Sequence, residues 1–358
     1  MPASIRRADP PGAPAPPPET PFVRHRVVPG GSTLSWTVTG ARQAPLLVLP
    51  GWTSNLTVDW GDGPVGRFNR ALSERFRLIR FDPPGIGLSS AGTPDFTLDG
   101  QVAHASAVID SACVTEVSLL ATGFAGPVAL ALAARRPELV KKVVLFGTAA
   151  SFLADDDHPD GIAPGLPDAI ERLVRADWRL GSRIIAEMLL PGVTPQEALW
   201  YSEYQRICAT ADVAGQMLRA GCALEAEDLL GEVRAPVLAL RGQDSYLTTA
   251  SVLRRLVRAV PDGRSRTLPG SAALPYFDAE GTVVAEIEAF LNPAHSQLTM
   301  RELTVLARLR EGLSNRAIAR ELGISEHTAA RHLANVNVKL GVNSRGAAVA
   351  RAMELSLL

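Results

Sequence analysis

Cysteine is scarce in this chain of 358 residues: Cys113, Cys208 and Cys222 are three, far apart and odd in number. That count gives neither the C-x-x-C pairs of a zinc site nor the even set of a disulfide framework, and it predicts a reducing compartment. No apolar run approaches the roughly 20 residues needed to span a bilayer. The first residues lack the charged, then apolar, then small pattern of a signal peptide, so the expectation is a soluble cytoplasmic protein with no membrane partner. Aromatics make up only 5% of the chain. No G-x-x-x-x-G-K-S/T loop is present to cradle phosphates, which excludes an ATP-driven device of that type, and no motif calls for a metal or cofactor.

Net charge is nearly absent too, with 36 basic against 37 acidic side chains, but the balance is uneven. From His295 onward there are nine Lys/Arg and five Asp/Glu, while residues 1 to 294 carry 27 against 32. A basic tail on an acidic body points toward a nucleic-acid partner.

At about 150 residues per domain, the length predicts two domains, one of them large. Eight of the 27 prolines fall within the first 21 residues, whose missing amide hydrogens forbid helix and sheet. Residues 1–22 are therefore expected as a disordered extension. Over residues 23–292, apolar runs at 46–49, 77–81, 116–121, 142–146 and 237–241 alternate with helix-like stretches, which predicts a mostly parallel sheet covered on both faces. The alternation lapses over about 151–231, where helical segments without a strand read as a cap. Within it, Trp178, Trp200, Tyr201 and Tyr204 are open to two readings: rings that staple the cap to the core, or the lining of a pocket for an apolar ligand. Asp155, Asp156, Asp157 and His158 read either as a cation site or as an acidic surface loop. Cys113 is expected as a small buried apolar residue and His104 as a packed helix residue.

After a polar break at 292–297, residues 298–358 are all helical. Thr299 and Glu302 form a capping box, with Leu298 and Leu303 placed for a hydrophobic staple. Ser314 caps a second helix that stops at Gly323, and Ser325 caps a third that ends at Gly341. Two short helices joined by Gly323-Ile324-Ser325 predict a helix-turn-helix. The motifs L-T-x-R-E, G-L-S-N-x-x-I-A, L-x-I-S-x-x-T, H-L and K-L-G-V-x-x-R resemble the LuxR/GerE-type DNA-binding domain along its whole length. That resemblance implies contacts to the phosphate backbone of double-stranded DNA from Ser314, Asn315, Ser325, Thr328 and Lys339. It implies base contacts from Ala330, Arg331, Ala334 and Asn335, Arg331 being suited to guanine. The fourth helix is expected to make a homodimer, hence a roughly palindromic site.

The large domain carries Leu47-Val48-Leu49-Pro50-Gly51-Trp52, then Asp82-Pro83-Pro84-Gly85-Ile86-Gly87-Leu88-Ser89, then LLATGFAGPVAL. In this order they resemble an α/β-hydrolase with a helical cap. The resemblance places the nucleophile at Gly123, the acid at Ser245 with Asp244 one residue early, and the histidine at Ala273. A glycine cannot form an acyl-enzyme, so a pseudo-hydrolase is expected. Thr122 is the one substitute nucleophile, without a base beside it. By position, the Trp52 and Phe124 amides are the expected oxyanion-hole donors, left to bind a ligand carbonyl or carboxylate. The expected ligand site comprises Trp52, Thr53, Thr122, Gly123, Phe124, Trp178, Trp200, Tyr204, Tyr246 and Ala273. The sequence reading is thus a DNA-binding regulator that senses a small, largely apolar effector. Two alternatives stay open: an active hydrolase fused to a DNA-binding domain, and a constitutive DNA-binding dimer whose large domain is a protein scaffold.

Overall fold

A computed structural model describes residues 20–42, 44–90, 92–156, 159–245, 248–270, 273–277, 280–292, 298–340, 342–355 and 357–358. The expected extension over residues 1–22 falls almost wholly outside these, as do Asp157, His158, Tyr246 and the break at 293–297.

The apolar runs are strands, as their length and β-branched content suggested. β1 (Arg24–Val27), β2 (Thr33–Thr39), β3 (Pro45–Leu49), β4 (Arg77–Asp82), β5 (Val117–Thr122), β6 (Val140–Phe146), β7 (Val237–Gly242) and β8 (Gly263–Leu268) form one sheet. Its order is β1-β2-β4-β3-β5-β6-β7-β8, antiparallel at β1/β2 and β2/β4 and parallel elsewhere. Three strands were not anticipated. β1 and β8 are edges with mostly exposed side chains, so neither carries an apolar run.

Both faces of the sheet are covered, which is why its central strands are mostly apolar. Phe68 and Leu72 of α1 (Pro64–Ser73) and Val283, Val284 and Ile287 of α9 (Glu280–Leu291) pack on one face. On the other lie α2 (Leu98–Ser111), α3 (Ala125–Arg135) and α8 (Ala250–Ala259). Cys113 corrects its expectation: it is exposed, in a turn after α2 at φ +53, and not a buried filler. His104 is buried on α2.

The cap consists of α4 (Leu166–Ala176), α5 (Trp178–Leu189), α6 (Pro195–Cys208) and α7 (Ala211–Cys222). Asp177, Thr194 and Thr210 cap three of these helices by accepting from backbone amides, so each helix starts where its sequence dictates. The cap has its own core, in which Ile170, Val174, Ile185, Met217 and Leu218 meet Trp52, Ile86 and Phe96 from below.

The C-terminal module comprises α10 (Met300–Arg310), α11 (Asn315–Leu322), α12 (Glu326–Leu340) and α13 (Arg345–Glu354). Thr299 accepts from the Glu302 amide while Glu302 accepts from the Thr299 amide. Leu298 and Leu303 are buried together with Leu306, Ile318, Ala329 and Val336. Gly323 ends α11 at φ +64, the left-handed cap that glycine adopts without strain.

Candidate ligand cavity and DNA interface

The parallel strands end at the cap, where open α/β sheets place their ligands. Gly123 sits in the turn between β5 and α3 at φ +48. A Cβ there would meet the Gly51 carbonyl oxygen at 3.3 Å, a tight contact, and would have to hold a left-handed φ, so the turn suits the glycine it carries. Gly51 is tighter still: its Cβ would lie 1.6 Å from the Thr122 oxygen. The turn after β3 is therefore pressed onto the elbow. One consequence corrects the expectation for Phe124, because its amide donates to the Gly51 oxygen at 3.0 Å and is not free for a ligand carbonyl.

The histidine and acid positions are also built into the fold. Ala273 is buried, and its amide donates to the Leu189 oxygen of α5 at 2.8 Å, tying the late loop to the cap. Ser245 is buried, and its carbonyl accepts from Arg241, whose guanidinium also donates to the Gln243 and Thr248 carbonyls. That arginine stitches together the loop in which the acid was sought.

Around the elbow lies a cavity of about 80 Å³. Trp52, Gly123, Phe124 and Ala273 line its floor, and Ile162, Leu166, Ile170, Ile185, Met188, Leu189, Leu218 and Cys222 form its walls and roof. Its walls are almost entirely hydrocarbon. The Cys222 thiol is pushed up to about 12 by burial, so it stays protonated and is no nucleophile.

Of the other expected ligand residues, Thr53, Thr122 and Tyr204 line a second, smaller cavity of about 30 Å³, less apolar than the first. It adjoins the first through Gly51, Trp52 and Leu274, and it also contains Asp59, Arg80, Tyr201 and Tyr276. Thr122 is bonded to Tyr276, whose phenol burial holds in its neutral form. Trp178 and Trp200 line neither cavity. The Trp178 indole donates to the Ala209 oxygen, and Trp200 stacks on Tyr204 at 5.2 Å and presses against Gly63. Trp178 is thus bonded within the cap, Trp200 staples the cap to the core, and neither reaches a cavity, which corrects their assignment to the ligand. Tyr246 lies outside the described residues. The expected site missed Asp59, Arg80 and Tyr276. The one hint of them was an arginine inside the apolar run Leu78-Ile79-Arg80-Phe81.

In the C-terminal module, Arg331, Ala334 and Asn335 are exposed on one face of α12, and Val338, 81% exposed, extends that face by another turn. Ala330 is half-buried beside them. Ser314 and Ser325 accept from the amides of Ala317 and Thr328, and Ser325 also bonds the Thr328 hydroxyl, so they organise the helix starts where a phosphate would sit. Asn315 faces Arg345 at 3.4 Å. Lys339 differs from its expectation: its ammonium is engaged by the buried Glu302 carboxylate at 2.6 Å, tying α12 to α10.

Known proteins sort along the same boundary. Residues 44–280 match the alpha/beta hydrolase fold family, and residues 296–352 match the luxR family of bacterial regulatory proteins. The pimeloyl-acyl-carrier-protein methyl ester esterase of Nitrosomonas europaea is 28% identical over 236 residues, which is 64% of this chain and 89% of the esterase. The transcriptional regulatory protein YdfI of Bacillus subtilis is 44% identical over 63 residues, 18% of this chain and 30% of YdfI. Among solved structures, an esterase from Exiguobacterium antarcticum superposes with a TM-score of 0.68 at 19% identity, over 75% of this chain and 99% of its own, a likeness of fold. No helix among the described residues is long and apolar enough to cross a membrane.

Proposed function

Through residues 44–280 the chain belongs to the alpha/beta hydrolase fold family, and it ends in a luxR-family regulatory domain; from that premise we propose a ligand-responsive transcriptional regulator. Its large domain binds a small, largely apolar effector and does not turn it over. Its C-terminal helix-turn-helix binds a roughly palindromic DNA site as a homodimer, and the protein works in the cytoplasm.

The observation that carries this reading is the apolar cavity at an elbow whose apex is Gly123. Covalent catalysis needs a nucleophile, a base to take its proton and donors for the oxyanion. Here the apex has no side chain, the histidine position is Ala273, and the Phe124 amide is spent on Gly51. What remains is a hydrocarbon-lined space whose roof belongs to the cap. For binding to matter, the effector must favour one arrangement of the DNA-binding modules, since equal affinity for both shifts nothing.

Two measurements test the reading. p-Nitrophenyl esters are expected to be hydrolysed no faster than in buffer; turnover that vanishes in Thr122→Val would establish an enzyme instead. A library of apolar carbonyl compounds is expected to yield ligands that raise the melting temperature saturably, by mass action on the folded state. Ile162→Trp should abolish the shift, because Ile162 lines the cavity and is half-exposed, so added bulk there fills the space without straining the core. Unchanged DNA affinity with the cavity saturated would refute the regulatory role.

A further inference from the structure

The smaller cavity behind the elbow is lined by a cation whose hydrogen bonding is incomplete. Arg80 is 4% exposed, and its Nε and Nη2 have no hydrogen-bond partner among the described residues. Its Nη1 reaches the Asp59 carbonyl at 3.5 Å, and its guanidinium lies over the Trp60 ring at 5.3 Å. The two unsatisfied groups are not scattered. Nε–H and Nη2–H lie side by side on one edge of the guanidinium, the parallel pair that matches the two oxygens of a carboxylate.

Neighbouring carboxylates do not serve that edge. Asp82 accepts from the Ser54 hydroxyl and from the Leu56 and Leu88 amides. Asp59 accepts from the Tyr204 phenol at 2.7 Å and the Asn55 amide at 3.2 Å. Leaving N–H groups of a buried cation unpaired is costly, so their partner must come from outside the protein. The cavity that Arg80 lines, at about 30 Å³, admits about two water-sized groups and no hydrocarbon chain. Immediately beyond Gly51, Trp52 and Leu274, the larger cavity offers the reverse, hydrocarbon walls with hardly a polar atom.

We propose that the effector is an apolar carboxylic acid, its carboxylate held by Nε and Nη2 of Arg80 and its hydrocarbon part lying under the cap. This rests on the sensor reading of the large cavity and names the chemistry of its ligand. Trp52, whose indole donates to Gln205 at 2.9 Å, stands where the two parts of such a molecule meet.

The test titrates the full-length protein calorimetrically with octanoate and 4-phenylbutanoate, and with the methyl esters of both. The acids are expected to bind at least tenfold more tightly than their esters, and Arg80→Gln to remove that preference. Ile162→Trp is expected to abolish binding of all four. Equal affinity of acid and ester, lost in Ile162→Trp but untouched in Arg80→Gln, would overturn the carboxylate assignment and leave the sensor reading intact, with water as the partner of Arg80. No binding by any of the four would overturn the assignment, and a flat response of the wider compound library would then remove the sensor reading as well. If Arg80→Gln does not fold, the acid and ester comparison on the unmutated chain decides alone.

Discussion

Replacing Asp59 by asparagine should change how the stability of the large domain depends on pH. In the folded protein the Asp59 carboxyl is pushed up to about 7: burial is the main cause and Asp82 adds to it, while Arg80, Tyr204 and the Asn55 amide oppose it. In the unfolded chain it titrates near its ordinary value of about 4. Below that value both states hold the proton and there is no penalty. As pH rises, the unfolded chain ionises first, so stability is lost progressively until the folded carboxyl also ionises near 7. A difference of about 3 units at 1.36 kcal/mol per unit gives on the order of 4 kcal/mol between pH 4 and pH 7. Asparagine can keep both hydrogen bonds, accepting from the Asn55 amide and donating to the Tyr204 oxygen, so it removes the titration without orphaning a neighbour. Urea unfolding followed by tryptophan fluorescence reads this domain alone, because all five tryptophans, at 36, 52, 60, 178 and 200, precede the C-terminal module. With a slope on the order of 3 kcal/mol per M, the gap between the wild-type and Asp59→Asn midpoints should change by about 1 M over that pH range, in favour of the wild type at low pH. Parallel profiles from pH 4 to 7 would refute the argument and show that Asp59 titrates as an ordinary surface carboxyl.

Other substitutions probe separate parts of the structure. Gly51→Ala drives a Cβ into the Thr122 carbonyl and should cost on the order of 4 kcal/mol or more, seen as loss of soluble large domain; a well-folded variant would contradict the packing of the elbow. Gly323→Ala meets no neighbour but must hold φ +64, so the C-terminal module should lose only about 1 kcal/mol, and Gly323→Asn less, by thermal melting followed at the helical circular dichroism band. Arg331→Ala, on the exposed face of α12, should weaken binding to a selected DNA site by about 1–3 kcal/mol with no change in melting temperature. Equal weakening on all DNA sequences, with a shallower salt dependence, would assign Arg331 to the phosphates instead.

The C-terminal module was legible in the sequence almost residue by residue, because its signals act within three or four positions. Thr299 with Glu302, Ser314, Gly323 and Ser325 each fix a helix end through a bond to a near neighbour in the chain. The central strands were legible as apolar runs because both of their faces are buried; β1 and β8, exposed edges, sent no such signal. The elbow was placed by its motif, but the fate of the Phe124 amide depends on a backbone approach from Gly51, which no side chain announces. Trp178 and Trp200 read equally well as staple or lining, since both roles need a large ring, and only packing separates them. The Arg80 chamber was illegible for a different reason. Asp59, Arg80, Tyr204 and Tyr276 come from four distant segments, and the property that matters, two unanswered N–H groups, exists only after they meet.

The bond from the Ala273 amide to the Leu189 carbonyl gives the large domain a mechanical linkage. The same late loop leads into α9, a strut of twelve residues and about 18 Å. Its far end is pinned by the Lys142 ammonium on the Phe290 and Leu291 carbonyls and by Arg75 on Glu288. Held at that end, the strut resists sliding along its axis, so a lift of α5 would reach Asn292 chiefly as a tilt. If two copies pair on DNA as proposed, a tilt of that kind on binding of the proposed effector would change the spacing at which two recognition helices can sit on one duplex.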